Sequence, residues 1–581
     1  MSDFITIFIK DIENIVDTLI KDTIIDKNFN KNKISIDFSS QSKQGDISTN
    51  LFIILSNFLL NKEFVLKEYL HDKISSLHYI NKVDIAKIGF VNVFFKKEFL
   101  INKIKNLLAE GNNYGKSKIG KGKNINIEFV SANPTGPIHI GHVRGAVYGD
   151  VLAKILFSTG YNVTKEYYVN DTGTQINSLG DSLYKRYQEK RGLKINLNEG
   201  EYPGEYLISL AENIELKDKD KWIACEEKTR KQYFEKYAVQ EILNTIKKDL
   251  QKINIIFDKF TFESKIIDNR LIDKVLKILK DKNLLYNGFL PKPKGDDLTE
   301  WESRKQLLFK SSNFFDDKDR AIKKSNGDWT YFANDAAYHF DKISRNFFKI
   351  INVWGADHIG YINRMKSIVE VISNNKNLIE IQVCQIVRVF KNGKVLKMSK
   401  RDGNFISLKK IVDEVGKDAL RYYMVSCRND TPIDFDFLKA IEKNKDNPVF
   451  YCQYAYARAS SVINKALEIN EFKNFTSYVS NFDENSISKY EWEIILQIIS
   501  WPYILYQAST LRQPHKIVLF IESLSANFHS FWNKGKENQS LRFIDKSNPN
   551  KTITKLLWIN SMRVVLNNAF NIIGIDAFEK M

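Results

Sequence analysis

Apolar residues at Phe4, Ile5, Phe8, Ile9 and Ile12 fall three and four apart, so the chain opens on an amphipathic helix. A G-D-I-S-T-N segment ending at Asn50 leads into a second helical stretch, and Gly89-Phe90-Val91-Asn92-Val93-Phe94-Phe95 reads as a strand. Helices mixed with strands predict a compact α+β module over residues 1–110. The basic, glycine-containing stretch 111–123 reads as a linker. Its G-N-N-Y-G-K-S is one residue short of a phosphate-binding loop and is not framed by strand and helix, so it reads as structural.

From Asn124 the period drops to two (Asn124, Ile125, Asn126, Ile127, Glu128), which predicts a strand reaching Val130. Asn133-Pro134 and Gly136-Pro137 then break the chain. Beyond Gly141, the residues Val143, Val147, Val151, Leu152, Ile155 and Leu156 share one helical face. Gly160 is a helix stop, and Tyr161 to Val169 is the next strand. Strand, helix and strand make a βαβ unit, the building block of a parallel sheet. Gly141, Gly145 and Gly149 recur every fourth residue, but Arg144, Asp150 and Lys154 exclude a membrane helix. Gly145 and Gly149 read as close packing of this helix on the sheet, and Gly141 as a place where a nucleotide approaches the backbone.

The stretch of about 181–310 is highly charged and helical in pattern, and reads as an insertion that supplies shape and RNA contact. Ile386 to Phe390 and Lys394 to Met398 flank Asn392-Gly393, the signature of a two-residue hairpin. Long helical periods with few glycines fill residues 441–581. The predicted fold is multidomain α/β. A Rossmann-like parallel-sheet domain over residues 124–440, with its insertion, stands between the N-terminal α+β module and a C-terminal all-α helix bundle.

The 581 residues suit two to four domains, and 43% hydrophobic content is ample for their cores. A formal charge of +17 suits a polyanionic partner, although the basic residues are spread along the chain rather than gathered. Cys225, Cys384, Cys427 and Cys452 lack C-x-x-C spacing, so neither a metal site nor a disulfide framework is indicated. The start has no basic segment followed by an apolar one, and no apolar run approaches the roughly 18 residues of a membrane span. A soluble, cytoplasmic protein without membrane partners is expected.

The chemistry concentrates in two segments. Ser131-Ala132-Asn133-Pro134-Thr135-Gly136-Pro137-Ile138-His139-Ile140-Gly141-His142 lies between the predicted strand and helix. A loop that feeds a helix N-terminus presents free N–H groups to anions, so phosphates belong near His139 and His142. Far downstream, Lys397-Met398-Ser399-Lys400-Arg401 carries two ammonium groups around a serine. Two imidazoles and two ammoniums are the fixed donors that attack at the α-phosphate of ATP and departure of pyrophosphate require. These expectations make His139, His142, Lys397 and Lys400 catalytic and give ATP the loop 131–141 with Met398 and Ser399.

Carried on these motifs, the chain resembles class I aminoacyl-tRNA synthetases, and among them the bacterial arginyl-tRNA synthetases. The resemblance extends through E-Y-Y-V-N-D (166–171), D-W-T-Y-F-A-N-D-A-A-Y-H (328–339), W-G-A-D-H (354–358), N-P-V-F-Y-C-Q-Y-A-Y-A-R (447–458) and the terminal I-I-G-I-D-A-F-E-K-M. It implies activation of L-arginine by ATP, with Mg²⁺ as counter-ion, and transfer to the 3′ end of arginine tRNA. It further implies that bound tRNA completes the site for activation, and that the chain acts as a monomer. Glu128, Asn133, Tyr331, Asp335 and His358 match the positions that contact arginine. Tyr331 and Asp335, one helical turn apart, would grip the guanidinium, whereas Glu128 would hold either the α-amino group or the guanidinium. Asn133 and His358 would fix the polar end. Tyr454, Tyr456 and Arg458 are expected to stack on or bridge nucleotides, with Met581 near the anticodon loop. The alternatives are another class I synthetase and an inactive RNA-binding or arginine-sensing derivative.

Overall fold

A computed structural model describes residues 4–38, 45–61, 63–290, 304–391, 393–396 and 406–581. The chain forms two compact units, one of residues 118–442 with 513–515, the other of residues 1–117, 443–512 and 516–581.

In the first unit, Asn124–Glu128 (β1) is followed by the helix Ile140–Ser158 (α1) and by Asn162–Val169 (β2). Lys259–Phe262 (β3), the helix Tyr331–Ser344 (α2), Lys349–Gly355 (β4) and Ile379–Cys384 (β5) complete its centre. The five strands are parallel in the order β3-β2-β1-β4-β5, so the chain winds outward from β1 in both directions. Helix α1 begins where it does because His139, in extended backbone (φ −125°), accepts the Gly141 N–H on its imidazole 3.1 Å away. It packs on the sheet through Gly149, where a Cβ would fall 2.3 Å from Cγ of Phe129. Gly145 differs from the expectation. Its nearest neighbour for a Cβ is Val353 at 3.9 Å, an ordinary contact, so close packing of the helix rests on Gly149.

Along β1 the polar Asn126 and Glu128 are buried along with the apolar Ile125 and Ile127. The sheet is covered on both faces, and the polar positions of β1 belong to a buried network. The insertion expected over about 181–310 is not one block. Helices Thr174–Lys190, Tyr206–Asp218 and Glu227–Lys252 return to the sheet as β3. A second excursion, with short strands Leu285–Gly288, Gln306–Phe309 and Arg320–Lys323, precedes α2. Four residues of strand inside charged sequence leave too short a period to read.

The second unit joins the N-terminal module to the C-terminal bundle. Its antiparallel sheet runs in the order Ile36–Phe38, Ile47–Thr49, Val91–Phe95, Ile80–Ile85. The bundle includes the helices Pro448–Leu467, Lys489–Ile499, Trp501–Leu511, His515–Glu537 and Pro549–Ile573. The stretch expected to be a linker is anchored at its start. The Tyr114 hydroxyl donates to the Ile499 carbonyl (3.1 Å), and the Tyr114 carbonyl accepts from Trp501 Nε1 (3.2 Å) and Asn568 Nδ2 (3.2 Å). Gly115 has φ +96°, and a Cβ there would lie 2.4 Å from Trp501 Nε1.

The packing of α1 on β1 yields a test. Gly149→Ala gains about 1 kcal/mol of helix propensity but overpacks Phe129, so stability is expected to fall by about 1–3 kcal/mol. Urea unfolding that shows equal or greater stability for the variant would mean Phe129 repacks freely.

Candidate active site

Strand order reverses between β1 and β4, and in a doubly wound sheet this is where the carboxyl ends of the strands open a crevice. A cleft of about 860 Å³ lies there. One wall is the segment after β1. It starts with a tight turn in which the Ser131 N–H donates to the Phe129 carbonyl (3.0 Å) around Val130 at φ +68°. Positive φ is costly for a β-branched residue and is found where the surroundings over-determine the backbone. Here the Ser131 hydroxyl donates to Glu128 Oε1 (2.9 Å) and accepts the Tyr168 N–H (3.1 Å), which pins the turn from both sides.

His139 and His142 line the cleft at the start of α1, with ring centroids 4.0 Å apart. The Nδ1 of His139 accepts the Gly141 N–H, and that of His142 accepts the His139 N–H at 3.4 Å. An Nδ1 that accepts leaves the neutral ring's proton on Nε2, so both imidazoles are set as Nε2 donors at a helix N-terminus. Such a pair is built to meet anionic oxygens.

The opposite wall comes from α2 and the turn after β4. Asp335 is partly buried there and accepts the Tyr361 hydroxyl on Oδ2 (2.9 Å). Burial pushes the Asp335 carboxyl up to about 7, the Tyr361 hydrogen bond opposes the rise, and Glu128 and Glu263 add to it. A carboxyl in that condition is short of a cation. Glu128, by contrast, already has one, since Lys342 Nζ lies 2.5 Å from its Oε2. Lys342 also donates to Asn352 Oδ1 (3.0 Å). The Asn352 amide donates to His339 Nε2 (2.8 Å), which places the His339 proton on Nδ1, facing the Asp335 carbonyl (2.8 Å). Burial, then Lys342, pushes His339 down to about 3, so it is neutral.

The cleft brings together Glu128, Asn133, Tyr331, Asp335 and His358, and from the loop it takes Ser131, Ala132, Thr135 and Gly141 besides the histidines. Asn133 donates to Gln175 (2.9 Å), and Tyr331, 68% exposed, stands at the mouth rather than in the core. Pro134, Gly136, Pro137, Ile138 and Ile140, expected at the nucleotide, do not line the cleft. Ile138 and Ile140 are fully buried, and Gly136 lies under Tyr206, whose hydroxyl donates to the Thr135 carbonyl (2.6 Å). They shape the loop. Sequence reasoning passed over Lys342, Tyr361, Asn352 and Gln385, whose partners are distant in the chain. Lys397, Met398, Ser399 and Lys400 lie outside the described residues.

In the bundle, the Arg458 guanidinium sits over the rings of Tyr454 (4.2 Å) and Trp532 (5.1 Å) and donates to His529 Nδ1 (3.0 Å). Tyr456 corrects the expectation. It is buried against Phe570 and belongs to the core, because alternate residues of a helix face opposite sides. Met581 is 49% exposed.

A doubly wound parallel sheet whose switch-point cleft carries H-I-G-H at a helix N-terminus defines a class I aminoacyl-tRNA synthetase domain. Residues 103–434 match the family described as tRNA synthetases class I (R), catalytic domain. Residues 10–95 match the arginyl tRNA synthetase N terminal domain, and residues 452–581 the DALR anticodon binding domain. The chain is 38% identical to the arginine–tRNA ligase of Parvibaculum lavamentivorans, with 98% of each chain covered. It is 40% identical to that of Rickettsia canadensis over 95% of this chain and 96% of the relative. The Thermus thermophilus arginyl-tRNA synthetase structure superposes with a TM-score of 0.73 at 18% identity, covering 98% of this chain and 99% of that one, and so shares the fold. The chain belongs to the arginyl-tRNA synthetase family.

The state of Asp335 sets a pH dependence. If Asp335 is the partner of a guanidinium, as the sequence expectation has it, then below about pH 7 that cation must displace a proton to bind. Arginine's kcat/KM is expected to climb by up to about tenfold per pH unit toward 7 and to level off above it, and Asp335→Asn should lose this limb. Steady-state kinetics between pH 5.5 and 8.5 provide the check, and a flat profile for the native chain would contradict the assignment.

Proposed function

We propose that this chain activates L-arginine with ATP to form arginyl-adenylate and pyrophosphate, then transfers the arginyl group to the 3′ end of arginine tRNA. One observation carries the residue-level reading: a single switch-point cleft has an imidazole pair at a helix N-terminus on one wall and a cation-deficient carboxyl, Asp335, on the other. The amino acid's carboxylate attacks the α-phosphate, and the α-phosphate–pyrophosphate bond breaks. His139 and His142 donate to the phosphate oxygens as charge builds. Lys397 and Lys400, assigned on sequence, stabilise the departing pyrophosphate. Mg²⁺ enters as the counter-ion of the ATP phosphates, which supply oxygen ligands of the kind it prefers.

Asp335 takes the guanidinium, supported by Tyr361 from within the wall and by Tyr331 at the mouth. A planar fork of donors rewards paired acceptors in a way that the point charge of lysine does not. Glu128 keeps its resident lysine and acts toward the substrate as a hydrogen-bond acceptor, and Asn133 and His358 hold the polar end. In the bundle, Arg458 with Tyr454 offers a stacking surface for anticodon nucleotides, and the exposed Met581 is assigned to the anticodon loop on sequence. The chain works as a monomer in the cytoplasm, and no helix among the described residues is long and apolar enough to cross a membrane.

Aminoacylation with each of the twenty amino acids and purified tRNA tests the reaction. Charging with arginine alone is expected, and charging with another amino acid, or none, would turn the reading to a different synthetase or to an inactive derivative. Asp335→Asn should reduce arginine's kcat/KM by about 3–5 kcal/mol while the KM for ATP moves far less. His142→Ala should slow pyrophosphate exchange, measured with tRNA present, by about 100-fold. Native exchange in that variant removes His142 from the mechanism.

A further inference from the structure

We propose that Lys342 is a specificity-determining positioning residue of the arginine pocket: it holds Glu128 as a neutralised acceptor, so that Asp335 alone serves as counter-ion to the substrate side chain. The inference rests on the arginine reading above. Its basis is the register of three adjacent strands. Asn352 of β4 pairs with Glu128 of β1, and Glu128 pairs with Glu166 of β2, so the three form one row across the sheet. Two carboxylates side by side in a buried row repel each other and need cations. Helix α2 and its C-cap supply them three residues apart. Lys342 meets Glu128, and Arg345 makes a two-oxygen contact with Glu166 (2.8 and 2.9 Å).

Lys342 is fully buried, with its ammonium 4.4 Å over the Tyr338 ring. Its polar partners are Glu128 and Asn352. Glu128 forms part of the cleft wall and Lys342 does not, so the lysine acts through the glutamate. The charged and titratable groups that face Glu128 are Lys342, Asp335 and Tyr338 from α2 and Tyr168 from β2, with Glu166 its register neighbour on β2. Lys342 is the cation bonded to Glu128. Were Glu128 unpaired, it would compete with Asp335 for the guanidinium or move away from the cleft, and either change displaces the substrate's side chain.

The test is a cycle of Lys342→Met, Glu128→Gln and the double variant, measured by arginine aminoacylation and thermal unfolding. Lys342→Met should raise the KM for arginine by about 100-fold, with kcat changed less than about tenfold and the KM for ATP less than about threefold. The double variant holds no unpaired charge at this position, so its melting temperature should recover relative to either single variant. Its arginine KM should nevertheless stay near that of Glu128→Gln. An arginine KM for Lys342→Met within threefold of native overturns the proposal, as does a double variant that regains native arginine KM along with stability. Should Lys342→Met fail to fold, the double variant alone decides. Failure of the native chain to charge tRNA with arginine in the same assay would fall on the functional reading instead.

Discussion

The structure turns on a pair of like charges placed side by side in a buried row of the sheet. Glu128 and Glu166 are register neighbours on adjacent parallel strands, and both are buried. A folded chain cannot leave that row uncompensated, since each ion without a partner would cost several kcal/mol. Lys342 and Arg345 compensate it, with Asn126 (2.5 Å) and Thr261 (2.5 Å) adding donors to Glu166. Against the cost of burial, Lys342 and Arg345 hold Glu166 below the usual carboxylate range. The consequence reaches the cleft. Once Lys342 and Arg345 are docked on the row, the rotation and height of α2 are set. Asp335, two turns earlier on the same helix, is thereby aimed at the carboxyl ends of β1 and β4.

The other wall is fixed by a different device. A valine and a serine at positive φ reverse the chain directly after β1, and the Glu128–Ser131–Tyr168 bonds hold that reversal. Conformational cost is accepted at this point because the chain must leave the sheet and re-enter as a helix whose first turn faces the crevice. The histidines then cap their own helix, which places the proton of each neutral ring on Nε2. Deeper in the unit, Asp150 of α1 meets Arg421 (2.7 Å) with both side chains fully buried, and Lys154 and Lys165 share the same carboxylate. Helix α1 is thus held at its start by the capping imidazoles and in its middle by a buried ion pair and by the contact of Gly149 with Phe129.

Local order carried much of this into the sequence. The βαβ unit, the first hairpin flank and the helical last block all have periods that depend on near neighbours, and the structure contains each of them, whereas the second flank is paired at Lys394–Val395 and its residues Lys397 and Met398 lie outside the described residues. Asp335 and Tyr331 were nominated by the family resemblance, and their four-residue spacing on a helix agrees with both lining the cleft. What stayed hidden depends on partners far along the chain. The alternation at Asn126 and Glu128 marked a strand but not their partners, because nothing local announces that α2 will cover them. Lys342 looked like one of many lysines in a basic chain, although its carboxylate partner lies 214 residues away. Tyr456 and Tyr454 carry the same side chain two residues apart, and only the packing of Pro549–Ile573 against one of them separates core from surface. β3 is too short to announce itself.

Selectivity follows from how the charges are divided. Inside the cleft region, Glu128 and Glu166 each have a resident cation, whereas Asp335 has a phenol. A phenol donates a hydrogen bond but brings no charge, so it orients the carboxyl through Oδ2 without satisfying it. On the proposed assignment, a carboxyl that burial raises to about 7 holds a proton near neutral pH, and a guanidinium would relieve the same deficit by replacing that proton. Binding energy is therefore tied to a cation that is permanent and planar. Lysine brings equal charge, but its compact ammonium is more strongly hydrated and cannot give two parallel donors to one carboxylate. Neutral analogues bring no charge and leave the proton where it is. On the proposed assignment, discrimination in both directions would rest on leaving Asp335 with a phenol instead of a bonded cation, while Glu128 and Glu166 in the sheet have theirs.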